Sequence, residues 1–114
     1  MKQPLFKIIS AVLALSFLLM YTGTGLSGQD IKPEVQEVAK NLYMVSGLSG
    51  GNVAFLVTGE GVLVVDSGSL PVIGKIVVDK VKEKTDKPIT HVIFTHYHYD
   101  HTYGINGFPE NVKI

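Results

Sequence analysis

The chain has 114 residues, 46% of them hydrophobic and 18% charged, a composition that indicates one globular domain and excludes a disordered chain. Ten lysines balance ten acidic residues, so no basic surface for nucleic acid is expected. Cysteine is absent, which excludes disulfides and a lipid-modified cysteine.

The N-terminus, residues 1–27, is predicted to be a secretory signal peptide. Two lysines flank the start of an apolar run at 8–20, and small residues follow it. An uncleaved membrane anchor is the alternative, but the run is shorter than the roughly 18 apolar residues of a spanning helix. We therefore expect an exported protein, periplasmic or secreted, with no stable membrane anchor after cleavage. Removing the two lysines leaves eight against ten acidic residues, a net charge of −2.

Residues 28–114 form the remaining domain, in which short apolar and β-branched runs predict a sheet. Strands are expected at 35–39, 42–46, 53–58, 62–65 and 89–95. The third and fourth of these strands are expected to be buried on both faces. An amphipathic helix is predicted for 71–86, because Pro71 suits a first turn and apolar residues recur at helical spacing, although Gly74 and a β-branched run oppose it.

The segment THYHYDHTYG, 95–104, carries the chemistry of the chain. His96, His98, Asp100 and His101 lie within six positions directly after an apolar strand. Imidazole and carboxylate are ligands that suit zinc and, less selectively, iron or manganese. In extended backbone alternate side chains share a face, so the first two histidines grip one ion and a bend takes the other two groups to a second. The alternative is a solvated loop with structural histidines.

The motif HYHYDH matches the HxHxDH signature of the metallo-β-lactamase superfamily. The upstream segment NVAFLVTGEGVLVVDSG resembles the strand pair that precedes the signature in that superfamily, and the likeness extends from about Val35 to the end of the chain. The resemblance implies an α/β fold: the N-terminal half of an αβ/βα sandwich, with a mixed sheet and a covering helix.

The resemblance also implies roles for particular residues. His96 and His98 would bind a first metal, and Asp100 and His101 a second. Asp66, at a strand end, is an ordinary turn residue by its position, whereas the resemblance makes it the carboxylate that holds the metal-binding loop and orients the imidazoles. The glycine-rich loop 47–52 would border the substrate site as a flap; a plain turn is the alternative.

A site of this kind predicts hydrolysis. Metal-bound hydroxide, oriented by the catalytic carboxylate Asp100, would attack an ester, thioester, lactone or β-lactam bond of a small-molecule substrate, with two zinc ions per complete domain. The alternative function is a non-catalytic exported metal-binding module. A diiron branch of the same fold is disfavoured, because it carries glutamate at the position of His98.

The chain departs from the family pattern in two places. Tyr103 and Gly104 follow the motif where two glycines are usual, and the downstream histidines and aspartate that complete the family's sites are absent from the sequence. His91 lies at the far end of its strand and is left out of the site. We therefore expect an incomplete N-terminal portion of the domain that is inactive alone, with a further strand beginning at 112–114.

Overall fold

The computed structural model describes residues 30–114, so the predicted signal peptide lies outside the described residues. Within 30–114, no helix is both long enough and apolar enough to cross a membrane. The residues from Ile31 to Ile114 form one compact unit.

Five strands form a single mixed sheet in which the spatial order follows the chain order. The first four strands pair with one another in antiparallel fashion, and the fifth is parallel to the fourth. The strands are β1 (Glu34–Ala39), β2 (Leu42–Ser46), β3 (Val53–Val57), β4 (Val62–Val65) and β5 (Ile89–Ile93). Helix α1 (Pro71–Lys82) connects the two parallel strands, and a short helix α2 (Tyr99–Thr102) leads into a 3-10 helix (Tyr103–Gly107). The predicted α/β fold with a mixed sheet and a covering helix is confirmed.

Helix α1 packs on one face of the sheet. Val77 and Val81 of the helix share a buried cluster with Phe55 of β3 and Val64 of β4. The register places Phe55 opposite Val64, while Leu56 and Leu63 pair on the other face and are half-buried. The prediction that β3 and β4 are buried on both faces was therefore wrong for the described residues, because the helix covers only one face of the sheet.

The helix is shorter than the sequence pattern indicated. It ends at Lys82 instead of residue 86, and the amide groups of Lys84 and Thr85 turn back to the carbonyl of Val81. Gly74, which opposed the helix prediction, is buried in it. A Cβ on Gly74 would lie 1.9 Å from the carbonyl oxygen of Gly104, so this glycine lets the helix approach the segment after the motif.

The parallel pair β4 and β5 determines where the motif lies. Strand β5 ends at Ile93, two residues earlier than predicted, and the chain then bends into the motif. Because parallel strands end at the same edge of a sheet, the residues that follow β4 and β5 come together there. Lys113 forms a parallel bridge with His91 on the free side of β5, in keeping with a further strand beginning at 112–114.

Candidate metal centre

The three motif histidines gather at the carboxyl edge of β4 and β5. The ring centroids of His96 and His98 are 4.7 Å apart, and those of His96 and His101 are 4.1 Å apart. Asp100 lies beside them, with its Oδ2 3.4 Å from Nε2 of His101. His91 is exposed in the middle of β5, outside the cluster. The structure thus brings together the four residues proposed as ligands and leaves the fourth histidine apart.

Asp66 connects the end of β4 to the motif. Its carboxylate accepts the backbone N–H of Thr95 at 2.8 Å and the Thr95 hydroxyl at 2.9 Å, and it lies 2.8 Å from Nδ1 of His101. Its backbone is left-handed, with φ of 67°, which costs a non-glycine residue about 1 kcal/mol or more. These three hydrogen bonds hold the residue in that conformation.

The carboxylate of Asp66 is ionised in the folded protein. The residue is only 4% exposed, and this burial raises its pKa. The hydrogen bonds from Thr95 and His101 outweigh the burial, so the pKa is lower than the ordinary value of 3.8. An ionised carboxylate only accepts hydrogen bonds, so the proton of neutral His101 lies on Nδ1. The lone pair of Nε2 is then free to bind a metal.

Thr95 also selects which ring nitrogen of His96 carries the proton. Its hydroxyl has one proton, which it donates to Asp66, and its oxygen lies 2.9 Å from Nδ1 of His96. Nδ1 of His96 must therefore be the donor in that pair, which leaves Nε2 of His96 as the acceptor. Asp66 thus determines the tautomer of His101 directly and that of His96 through Thr95.

The donor chemistry of this cluster fits a metal ion such as zinc. One edge of the sheet brings together three imidazoles, two of which have a free Nε2, and one carboxylate. Among residues 30–114, however, no three ligand groups already converge on a single ion position. The assignment of His96 and His98 to one metal and of Asp100 and His101 to another stays a prediction.

Three contacts to the cluster were not anticipated from the sequence. Ser67, which is fully buried, donates from both its N–H and its hydroxyl to the carbonyl of His101. Ser69 donates its hydroxyl to the carbonyl of Ser49 at 2.6 Å and so fixes the loop 47–52. A Cβ on Gly51 of that loop would lie 2.5 Å from Cε1 of His101. The only sequence signal was the serines on either side of Gly68; the pairing partners are 20 and 34 residues away along the chain.

Comparison with known proteins relates this site to metal-dependent hydrolases. The chain is 35% identical over 55 residues to a linear primary-alkylsulfatase of Pseudomonas sp., an alignment that spans 48% of this chain and 10% of that protein. Its structure is similar to the stereoselective inverting sec-alkylsulfatase Pisa1 of Pseudomonas sp., with 26% identity and a TM-score of 0.64, over 68% of this chain and 12% of the enzyme.

The fold is also shared with the metallo-β-lactamase FIM-1 of Pseudomonas aeruginosa, which was solved in a mono-zinc form. That match has a TM-score of 0.61 and 18% identity, and covers 69% of this chain and 38% of the lactamase. The chain thus spans about a tenth of the alkylsulfatases and less than half of the lactamase. A family model described as the metallo-beta-lactamase superfamily matches residues 46–114, which include the sheet from β3 onward and the whole histidine motif. The chain belongs to the metallo-β-lactamase superfamily, a family of metal-dependent hydrolases.

Proposed function

We propose that this chain supplies the N-terminal part of the metal centre of an exported, zinc-dependent hydrolase. The observation that carries the proposal is the hydrogen bond between Asp66 and Nδ1 of His101, because it leaves the lone pair of Nε2 available to a metal. Ordinary turn aspartates do not select the tautomer of a distant histidine. The membership in a hydrolase superfamily supports the same conclusion.

The residues divide into two ligand pairs in this proposal. His96 and His98 would hold one ion through imidazole nitrogen, and Asp100 with His101 would hold a second through carboxylate oxygen and Nε2. Bound zinc supplies Lewis acidity and makes a nucleophile available near neutral pH. Asp100 has a further role, since its Oδ2 can take up a proton from the attacking water while it lies 3.4 Å from His101.

The substrate proposed is a small ester-type molecule from outside the cytoplasm. Sulfate esters come first, because two relatives are named as alkylsulfatases. Carboxylic esters, thioesters, lactones and β-lactams follow, since the fold is shared with a metallo-β-lactamase. The predicted signal peptide at 1–27 supports export.

Metal binding is the first test of this function. The purified chain is dialysed against Zn²⁺ and its metal content is measured by atomic emission. We expect His98→Ala and Asp100→Asn each to lower the bound zinc, whereas His91→Ala, a histidine change in the middle of β5 and outside the cluster, leaves it unchanged. Equal zinc content in all four proteins would refute the assignment of the motif as a metal centre.

Catalysis is tested separately from binding. The whole protein is assayed with an alkyl sulfate, a thioester and a β-lactam, and kcat/KM is followed against pH. A hydrolase shows turnover that disappears in His96→Ala and a kinetic pKa near neutrality. Zinc binding without turnover on any of these bond types would instead favour the non-catalytic metal-binding module.

A further inference from the structure

Ser67 and Ser69 hold His101 from two sides. We propose that both serines are positioning residues for metal binding: Ser67 fixes the backbone of His101, and Ser69 fixes the glycine loop 47–52 that packs on its imidazole. This inference rests on the proposed function, because it concerns how a ligand of the metal centre is kept in place. Neither serine would contact the metal or the substrate.

The backbone side of this arrangement depends on Ser67. The carbonyl oxygen of His101 accepts the Ser67 N–H at 2.8 Å and the Ser67 hydroxyl at 3.0 Å. Ser67 is 0% exposed, so water does not reach its hydroxyl and does not compete for the hydrogen bond to this carbonyl. Two donors on one carbonyl fix the position from which the imidazole projects. The hydrogen bond from Nδ1 to the adjacent residue Asp66 then fixes the ring itself.

The loop side depends on Ser69. Its side chain is buried, with 5% exposure of the residue, and its hydroxyl donates to the carbonyl of Ser49 at 2.6 Å. That bond anchors the two glycines that follow Ser49. A Cβ on Gly50 would lie 3.0 Å from the carbonyl oxygen of Asp100, and a Cβ on Gly51 would lie 2.9 Å from Nε2 of His101.

Gly51 therefore lies beside the imidazole, nearest to Cε1 and next to Nε2, the atom proposed to face a metal. Its backbone lies so close to the imidazole that even a methyl group would overlap Cε1, and real Cβ atoms essentially never approach another atom within 3.0 Å. The loop in this position leaves little room on one side of the ring for it to turn about its bond to Cβ. A ligand that keeps one orientation before binding loses less conformational entropy when the metal arrives.

A structural role alone makes a different prediction. Buried serine hydroxyls after a strand commonly satisfy nearby carbonyls in a turn and contribute only to stability. Thr58, although exposed, provides a control, because its hydroxyl also donates to a backbone carbonyl, that of Gly61 at 2.8 Å in the β3–β4 turn. That turn lies at the opposite end of the sheet from His101. Thr58→Ala therefore removes this hydrogen bond, together with those that the hydroxyl accepts from the N–H groups of Glu60 and Gly61, without touching the metal centre.

The experiment measures cobalt binding, histidine spectroscopy and stability in parallel. Co²⁺ is titrated into the chain while its visible ligand-field absorption is recorded, the ring signals of His101 are followed by NMR without metal, and urea unfolding gives the stability. The variants are Ser67→Ala, Ser69→Ala and Gly51→Ala, with Thr58→Ala and Gly59→Ala as controls. Gly59 has no atom within 4 Å of an added Cβ, so it controls for the glycine change.

We expect the first three variants to bind Co²⁺ about tenfold more weakly and to alter the His101 ring signals. The controls should leave both properties unchanged, even where Thr58→Ala lowers stability as much as the serine changes do. Gly51→Ala keeps the test decisive if a serine variant fails to fold, because the change lies in a surface loop and its backbone φ is not left-handed.

The proposal is overturned if the serine and glycine variants match their controls in cobalt affinity and ring signals while differing only in stability. If the unaltered chain takes up no Co²⁺, the proposed metal centre fails, and the NMR signals alone decide the positioning role. Unchanged His101 signals in the variants would then refute it, whereas altered signals would sustain it.

Discussion

Replacing Asp66 by asparagine removes a charge without changing the shape of the side chain. Asparagine also tolerates the left-handed backbone at this position, where φ is 67°, so the substitution adds little strain. The amide oxygen can still accept the Thr95 N–H that lies 2.8 Å from Oδ1. The amide nitrogen then takes the place of Oδ2, which accepts from Nδ1 of His101 in the unaltered protein.

This exchange reverses the direction of the hydrogen bond to His101. An amide N–H must donate, so Nδ1 has to become the acceptor and the ring proton moves to Nε2. That nitrogen then has no lone pair for a metal. Substitutions of residues that orient a metal-ligating histidine typically cost about 10- to 100-fold in metal affinity, and we expect a loss in that range. The lost charge-assisted hydrogen bond should also lower the free energy of unfolding by about 1.5–3 kcal/mol.

Two assays measure these effects, namely a Co²⁺ titration at pH 7 and urea unfolding of the metal-free chain. Asp79→Asn is the matched control, since it removes the same charge from an exposed position on α1. If Asp66→Asn binds Co²⁺ within about twofold of the unaltered chain, the assignment of the His101 tautomer to Asp66 is refuted. If both aspartate variants lose affinity equally, net charge and not the hydrogen bond is responsible.

The remaining predictions concern packing and pH. Gly74→Ala should lower the free energy of unfolding by about 1–2 kcal/mol, because overlap with the carbonyl of Gly104 outweighs a gain in helix propensity of about 1 kcal/mol, whereas Gly59→Ala should be nearly neutral by urea unfolding. Phe55→Ala should cost about 3–5 kcal/mol, since its ring is 0% exposed, and an unaltered urea midpoint would contradict this. The pKa of Asp66 is lowered on folding, so its contribution is complete above the ordinary value of 3.8 and is lost as the pH falls through the lower folded value. Urea midpoints from pH 6 to pH 2 should therefore fall less steeply in Asp66→Asn than in the unaltered chain.

Local patterns in the sequence were sufficient to locate most elements. The strands at 42–46 and 62–65 have the predicted bounds, because a near-alternating apolar pattern in the first and a continuous apolar, valine-rich run in the second end at clear turn residues. The end of α1 was misplaced, since the charged residues after Lys82 continue a helical pattern but are exposed, so no core packing extends the helix. Gly74 counted against the helix because glycine has a low helix propensity. The structure explains its presence by the close approach to Gly104, 30 residues later in the chain.

The candidate site shows the same division between local and distant information. The six-residue histidine motif identified the four proposed ligands because their spacing is local. The resemblance also selected Asp66, and the structure shows its hydrogen bonds to Thr95 and His101. The roles of Ser67 and of loop 47–52 depend on pairing between distant segments, which no local pattern in a single sequence encodes.

The hydrogen bond from Thr95 to Asp66 joins residues 29 positions apart, and the chain between them contains the whole of α1. The proposed ligands therefore reach their arrangement only after the strand-helix-strand crossover has closed. Closing a loop of that length before its contacts form is entropically unfavourable, so this step belongs late in folding. Metal uptake at the affinity of the assembled site would then report completion of the crossover, because Asp66 can orient His101 only once β4 and β5 have paired.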